Sequence, residues 1–372
     1  MRIALVVPGG VDRSREYRVI PALLALIGRL AADNDVHVFA LNQEASAGEW
    51  DLLGARIHNI GLPYTRLRAL RAISALHRST PFDVVHAIWS GNPGLIAVAA
   101  GRLLGIASLI HVAGGELVAL PEIAYGGRLK LRGRLREALV LRSCSAITAA
   151  SAPVIGTLAR LGLAAQRVPL GVDLEAWPAR APARRDPGRP AHLIHVASLN
   201  PVKDQATLLH ALALLARAGV NFEADVVGED VLQGAVQGLA TRLGLGDRVR
   251  FNGFMPQRML RPLIEAADIM VVSSRHETGP LAVLEAAVAG IPTVGTAVGH
   301  IAEWSPDASV AVPVGDVAAL AGGISRLLDD EDLRMRIARG AHERAIAEDA
   351  DYTAARFQAL YAHATAGARG PK

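Results

Sequence analysis

Two carboxylates, Glu277 and Glu285, bracket a stretch whose residue types suit the binding of a phosphate. The stretch follows an apolar run at residues 269–272, which reads as a buried strand, and opens an alanine-rich helix. Pro280 suits the first helical position, where its missing N–H is no loss. Gly290 suits the C-terminal cap, and Pro292 forbids continuation. Gly279 lets another group approach the backbone closely. The free N–H groups of Leu281 and Ala282, with the helix dipole behind them, form an anion site. Glu277 lies in the loop before the helix, and Glu285 about five residues in, roughly 7 Å along the axis. Carboxylates accept well from paired hydroxyls, so the two acids suit a diphosphate flanked by hydroxyl-bearing groups. An acid on an alanine-rich helix can equally be a solvated surface group; the pattern gains weight only from its surroundings.

Those surroundings are alternating strands and helices. In the first half, β-rich runs fall at residues 3–7, 36–41, 56–60, 84–88, 108–112 and 146–149, with helical patterns between them. The second half repeats the style, with strands expected at 193–197, 224–227, 249–251, 269–272 and 293–294. Such alternation predicts parallel sheets covered by helices on both faces, twice over. Between the halves, residues 177–190 contain four prolines and a glycine, which reads as a linker. In sheets of this kind ligands bind at the carboxyl ends of the strands. Residues 367–372 are expected to fray.

The segment from Arg275 to Pro292 resembles the E-x7-E signature of glycosyltransferase family 4, with Glu277 and Glu285 as its acids. Other landmarks follow in order: Gly9 and Gly10, residues 83–86, residues 169–173, residues 196–205 with Lys203, residues 247–253 ending in Gly253, residues 299–303, and residues 313–316. The resemblance spans nearly the whole chain. It implies an α/β protein of GT-B architecture, two Rossmann-like doubly wound domains facing across a cleft. It implies an acceptor-side domain over residues 1–175, a linker over 176–191, and a sugar-nucleotide-binding domain over 192–350. A last helix, 351–365, is expected to pack back on the first domain. The implied function is metal-independent transfer of a sugar, with retention, from a nucleoside-diphosphate sugar serving as co-substrate; no cofactor is implied. On that likeness Glu285 binds the ribose hydroxyls, Glu277 contacts the donor sugar, and Lys203 neutralises the diphosphate as a compact charge. Gly9 and Gly10 let the first loop approach the phosphates. Front-face attack, with the departing phosphate taking the acceptor's proton, asks for positioning and charge stabilisation more than for a protein base.

Two positions depart from the pattern. Ser198 stands where the donor loop of the family usually has arginine, and Arg275 is a candidate replacement. Ala113 stands where the family often has histidine, before Gly114, Gly115 and Glu116. His111 lies two residues earlier on the same strand face. His111, Gly114 and Glu116 are therefore the acceptor-side candidates. These departures keep a catalytically impaired sugar-nucleotide-binding protein open as an alternative, beside a GT-B-fold sugar-nucleotide epimerase.

Composition fits a folded globular protein. Of 372 residues, 51% are apolar and 20% charged, which excludes a disordered chain. One cysteine, Cys144, excludes an internal disulfide and suggests a reducing, cytoplasmic compartment. No secretory leader is read at the start. No span reaches the roughly 18–20 uninterrupted apolar residues of a membrane helix; residues 95–112 are cut by Arg102. No Cys/His cluster has metal spacing, and Asp33, Asn34 and Asp35 read as a turn. The net charge of +4 conceals +9 over residues 1–190 and −5 over the remainder, so the halves have different surfaces. Residues 128–136 carry five basic groups. Leu131, Leu135, Ala138 and Leu139 form one helical stripe there, which leaves the cations solvated. Either this is an ordinary solvated face, or it contacts an anionic membrane at its inner face that carries a lipid-linked acceptor; a glycan acceptor is the other expectation. Nucleic acid is disfavoured, because no aromatics interleave the run.

Overall fold

The computed structural model describes residues 1–368; residues 369–372, part of the expected fraying end, lie outside the described residues. The chain forms two compact units, residues 1–173 with 349 onward, and residues 174–348.

The first unit holds strands β1 (Arg2–Val7), β2 (Asp35–Ala40), β3 (Gly48–Leu52), β4 (Ala55–Asn59), β5 (Val84–Ile88), β6 (Ala107–Val112), β7 (Ala146–Ala149) and β8 (Gln166–Arg167). They form one sheet in the order β3-β4-β2-β1-β5-β6-β7-β8. Only β3 runs antiparallel to its neighbour. Residues 3–7 of β1 are fully buried, as a parallel strand covered on both faces must be. Strand β3 went unread because its Gly-Glu-Trp-Asp-Leu sequence, half exposed at the sheet edge, has little β character. Helices α1 (Pro21–Asp33), α2 (Thr65–Ser79), α3 (Asn92–Leu104), α4 (Leu131–Ser143) and α5 (Ala152–Arg160) cover the sheet.

The second unit carries β9 (Ala191–Val196), β10 (Phe222–Val227), β11 (Val249–Gly253), β12 (Ile269–Val272), β13 (Thr293–Thr296) and β14 (Val310–Val312), all parallel, in the order β11-β10-β9-β12-β13-β14. Its helices are α6 (Gln205–Arg217), α7 (Ala235–Arg242), α8 (Gln257–Glu265), α9 (Leu281–Val288), α10 (Gly299–Trp304), α11 (Val317–Asp329) and α12 (Glu331–Ala347). The last helix, α13 (Ala350–Ala368), belongs to the first unit and packs on α1. Phe357 and Tyr361 enter that core, and the Tyr361 hydroxyl shares a hydrogen bond of 2.7 Å with Nδ1 of His86.

In each sheet the strand order reverses beside the first strand, between β1 and β5 and between β9 and β12. The loops leaving those strands are therefore adjacent at the carboxyl ends, where doubly wound sheets bind ligands. The proline-rich segment expected as a linker lacks helix and strand but is docked on the second unit. The Arg180 amide donates to Val288 O (2.9 Å), Arg184 pairs with Asp332 (2.6 Å), and Arg189 grips Asp268 with two nitrogens (2.9 and 2.7 Å). Prolines exclude regular structure but not attachment through the arginines between them.

Candidate functional site

The loops after β9 and β12 meet at the switch point of the second sheet. Lys203 Nζ donates to Glu277 Oε1 at 2.5 Å, and Ser274 Oγ donates to the same oxygen at 2.7 Å. Arg275 Nε lies 3.0 Å from Asp204 Oδ2, and the Arg275 amide donates to Val202 O at 2.7 Å. Ser273 Oγ donates to Lys203 O at 2.8 Å. Two loops separated by about seventy residues are thus stitched along their length, with Lys203 and Glu277 at the partly accessible edge. Asp204 also caps α6, its Oδ1 accepting from the Thr207 amide at 3.3 Å and its Oδ2 from Thr207 Oγ1 at 3.0 Å. Beneath the pair, His195 is fully buried; burial pushes its imidazole down to about 4, so it is neutral.

Helix α9 presents its N-terminal end at the same place. Pro280 is its N-cap rather than its first helical residue, because ψ of 115° keeps it extended. Leu281 and Ala282, partly exposed, begin the helix. Their amides precede the first intrahelical acceptor, so an anion there gains both the amides and the dipole. Gly279 is partly exposed beside them. At the far end Gly290 has φ of +77°, and a Cβ there would lie 2.7 Å from Arg180 O. Only glycine satisfies both the left-handed cap and the docked segment. Helix α10 closes a further side: a Cβ on Gly299 would lie 2.9 Å from Pro280 Cδ and 3.3 Å from Glu277 Cβ.

Glu285 lies inside α9 and is buried, with 3% exposure. Its Oε1 accepts from Gln257 Nε2 at 2.8 Å, and Gln257 Oε1 accepts from Trp177 Nε1. Burial without a cation pushes this carboxyl up to about 7. A group donating hydroxyls to Glu285 would replace the bond from Gln257. Gln257 and Trp177 had no signal in the sequence as members of this cluster, since each arrives from a distant element, and Ser274, in the loop of Glu277 itself, was not singled out. Ser198 is exposed at the end of β9, where Gly228 (φ +152°) packs against Ala197 O. Gly253 ends β11 with φ of +65° and its carbonyl accepts from the Gly228 amide at 2.8 Å. Among the described residues, no group of three or more His, Cys, Asp or Glu side chains is placed to hold a metal ion.

The first unit has its own concavity at the corresponding switch point, a pocket of about 930 Å³ lined by Pro8, Asn42, Tyr64, Trp89 and Glu116 among others. Glu116 accepts from the amides of Ser90 (3.0 Å) and Gly114 (2.6 Å). Burial raises its carboxyl above the ordinary value despite those amides, which pull the other way. The structure adds a detail at Gly10 and changes the expectation for His111. The Gly10 amide is taken: Gln43 Oε1 accepts from it at 2.7 Å and from Val11 at 3.0 Å. Gly10 keeps φ of +84°, so glycine serves the turn itself. His111 does not line the pocket. It is fully buried, its Nδ1 2.9 Å from Thr148 Oγ1 and its ring edge-on to Phe357, and burial drives the imidazole down to about 3. The period-2 rule put its side chain correctly on one face, and that face is the one α13 covers.

Comparison with known proteins follows the same division. Residues 19–171 match the glycosyl transferase 4-like domain and residues 181–344 the glycosyl transferases group 1 model. The D-inositol 3-phosphate glycosyltransferase of Frankia alni is 33% identical over 319 residues, covering 79% of this chain and 77% of that one. Among solved structures, sucrose-phosphate synthase of Thermosynechococcus elongatus superposes with a TM-score of 0.80 at 20% identity, over 99% of this chain and 100% of the other. Anabaena Alr3699/HepE, solved with UDP-glucose, gives 0.73 at 19% identity over 98% and 100%.

Proposed function

This chain belongs to the family 4-like GT-B glycosyltransferases, and from that membership we propose that it moves a sugar, with retention and without metal, from a nucleoside-diphosphate sugar. The observation that carries the reading is the Lys203–Glu277 pair beside the N-terminal end of α9, the helix that also holds Glu285. The α9 amides and Lys203 stabilise the diphosphate as negative charge develops on the leaving oxygen. Glu277, oriented by Lys203 and Ser274, accepts from hydroxyls of the donor sugar. Glu285 exchanges its Gln257 partner for the ribose hydroxyls. Arg275, tied to Asp204 beside Lys203, supplies the second positive group in place of the arginine that Ser198 lacks. Gly253 leaves room for the base. The solved relative with UDP-glucose supports a nucleoside-diphosphate hexose as the class of donor.

The acceptor enters from the first unit, where Glu116 forms a polar edge of the pocket and Gly114 sets its position through the 2.6 Å bond. Incubation with UDP-, GDP- and ADP-hexoses, followed by NMR, tests the reading. Slow release of a sugar or glycoside with the donor's anomeric configuration, undiminished by EDTA, is expected. Inverted configuration, or loss of turnover in EDTA restored by magnesium, contradicts it.

A further inference from the structure

Helix α4 is turned opposite to the way its sequence suggests. The leucine stripe expected to face the core faces solvent instead: Leu131, Leu135 and Leu139 are 69%, 62% and 51% exposed. The helix is held by its other side. Gly133 lies against the backbone of residue 127, where a Cβ would stand 2.0 Å from the carbonyl oxygen. Glu137 is buried and accepts from Arg128 at 2.9 Å, while Val140 and Leu141 enter the core beneath. That side contains the attachment points, so the leucines have nowhere to go but outward.

The leucines recur every fourth residue and therefore form one face. Arg132 and Arg134, both exposed, border that face on either side, and exposed Lys130 precedes it. Helices α2 and α3 cover the same side of the sheet as α4, and the three helices together carry a single acid, the buried Glu137. An exposed apolar stripe flanked by cations, with no exposed acid on its own layer, has the charge and shape of a helix that lies in a lipid interface. We propose that α4 docks this protein on an anionic bilayer, its leucines entering the headgroup–acyl boundary and its arginines contacting lipid phosphates. The docking surface belongs to the first unit and does not depend on which sugar is transferred.

Vesicle flotation tests this with phosphatidylcholine alone and with phosphatidylcholine containing phosphatidylglycerol. The protein is expected to float with the anionic vesicles only, and less as salt rises and screens the charges. Replacing Lys130, Arg132 or Arg134 by Ser should weaken binding roughly fivefold per residue. A triple Leu131→Ser, Leu135→Ser, Leu139→Ser variant should weaken it at least about tenfold. In Leu135→Trp, bilayer contact should blue-shift the indole emission, and brominated lipid should quench it. Nucleotide affinity and circular dichroism of the triple variant should match the parent, which separates lost docking from lost folding and from failure of the transfer reading. Equal binding to neutral vesicles, or anionic binding unchanged in the triple variant, overturns the proposal. So does a leucine-dependent dimer in sedimentation without vesicle binding, which would make the stripe a contact between copies.

Discussion

Helices α9 and α4 are both rich in small and apolar residues, yet they are used from different directions. In α9, six of eight residues are buried, and what remains accessible is its N-terminal end, with Lys203 and Glu277 paired beside it. In α4, three of thirteen residues are buried, and what remains accessible is its flank. A helix enclosed on its sides acts through the backbone groups at its end and through the few buried side chains that line the pocket beside it, as Glu285 does here. A helix fixed along a narrow strip can act through its side chains. Charge differs too: at the mouth of the α9 site Lys203 is matched by Glu277 and Arg275 by Asp204 within hydrogen-bond distance, whereas around α4 an excess of arginine faces outward.

The largest effect should come from the end of α9. Lys203→Ala removes the one ammonium at the proposed diphosphate position and should cost on the order of 2–4 kcal/mol of transition-state stabilisation, as loss of an oxyanion-hole donor does. The loss should appear in kcat/KM for the sugar donor. Loss of less than about threefold would break the contrast, since charge near α9 would then be structural, like the Arg189–Asp268 pair.

Glu285 sharpens it next. Its carboxyl is pushed up to about 7 in the folded chain, against the ordinary 4.5. The folded state thus holds a proton that the unfolded state has released, so stability falls as pH rises from about 4.5 through 7. The shift corresponds to about 3 kcal/mol at pH 8. Glu285→Gln keeps the shape and cannot ionise. Denaturation at pH 5, 6, 7 and 8 should show the parent losing stability along that series while the variant stays level by comparison. Parallel curves would mean that Glu285 is not the buried acid described. For the same reason nucleotide affinity should rise with pH through about 7 in the parent, because hydroxyl donors favour the ionised carboxylate.

The smallest effect belongs to α4. Replacing its exposed leucines by serine should move stability by no more than about 0.5 kcal/mol each, as at ordinary surface positions. A cost of 2 kcal/mol or more per residue, read by urea denaturation, would place them in a core after all.

The difference between the two helices also marks what the sequence could tell. The α9 site is a strand, a loop and a helix in succession, so Glu277, Gly279, Leu281 and Glu285 are related by local geometry that residue spacing records. The place of Lys203 came from the resemblance to glycosyltransferase family 4, since no local spacing relates it to Glu277. Gln257 and Trp177 were illegible, because helix α8 and the docked segment meet α9 only in three dimensions. On α4, the period revealed a stripe but not which side would be buried. Gly133 and Glu137 decide that, through contacts with residues 127 and 128 that periodicity does not register. His111 failed likewise: its strand and face were legible and a returning last helix was expected, but not that α13 would close over that very face.

The central claim is that α9 holds a nucleoside diphosphate with Glu285 on the ribose and Glu277 on the sugar. Titration calorimetry of UDP, GDP and ADP against the parent, Glu285→Ala and Glu277→Ala tests it most directly. One nucleotide should bind the parent, bind Glu285→Ala at least about tenfold more weakly, as loss of charged hydrogen bonds predicts, and bind Glu277→Ala with parental affinity. Equal losses in both variants, or no loss in Glu285→Ala, would contradict the account.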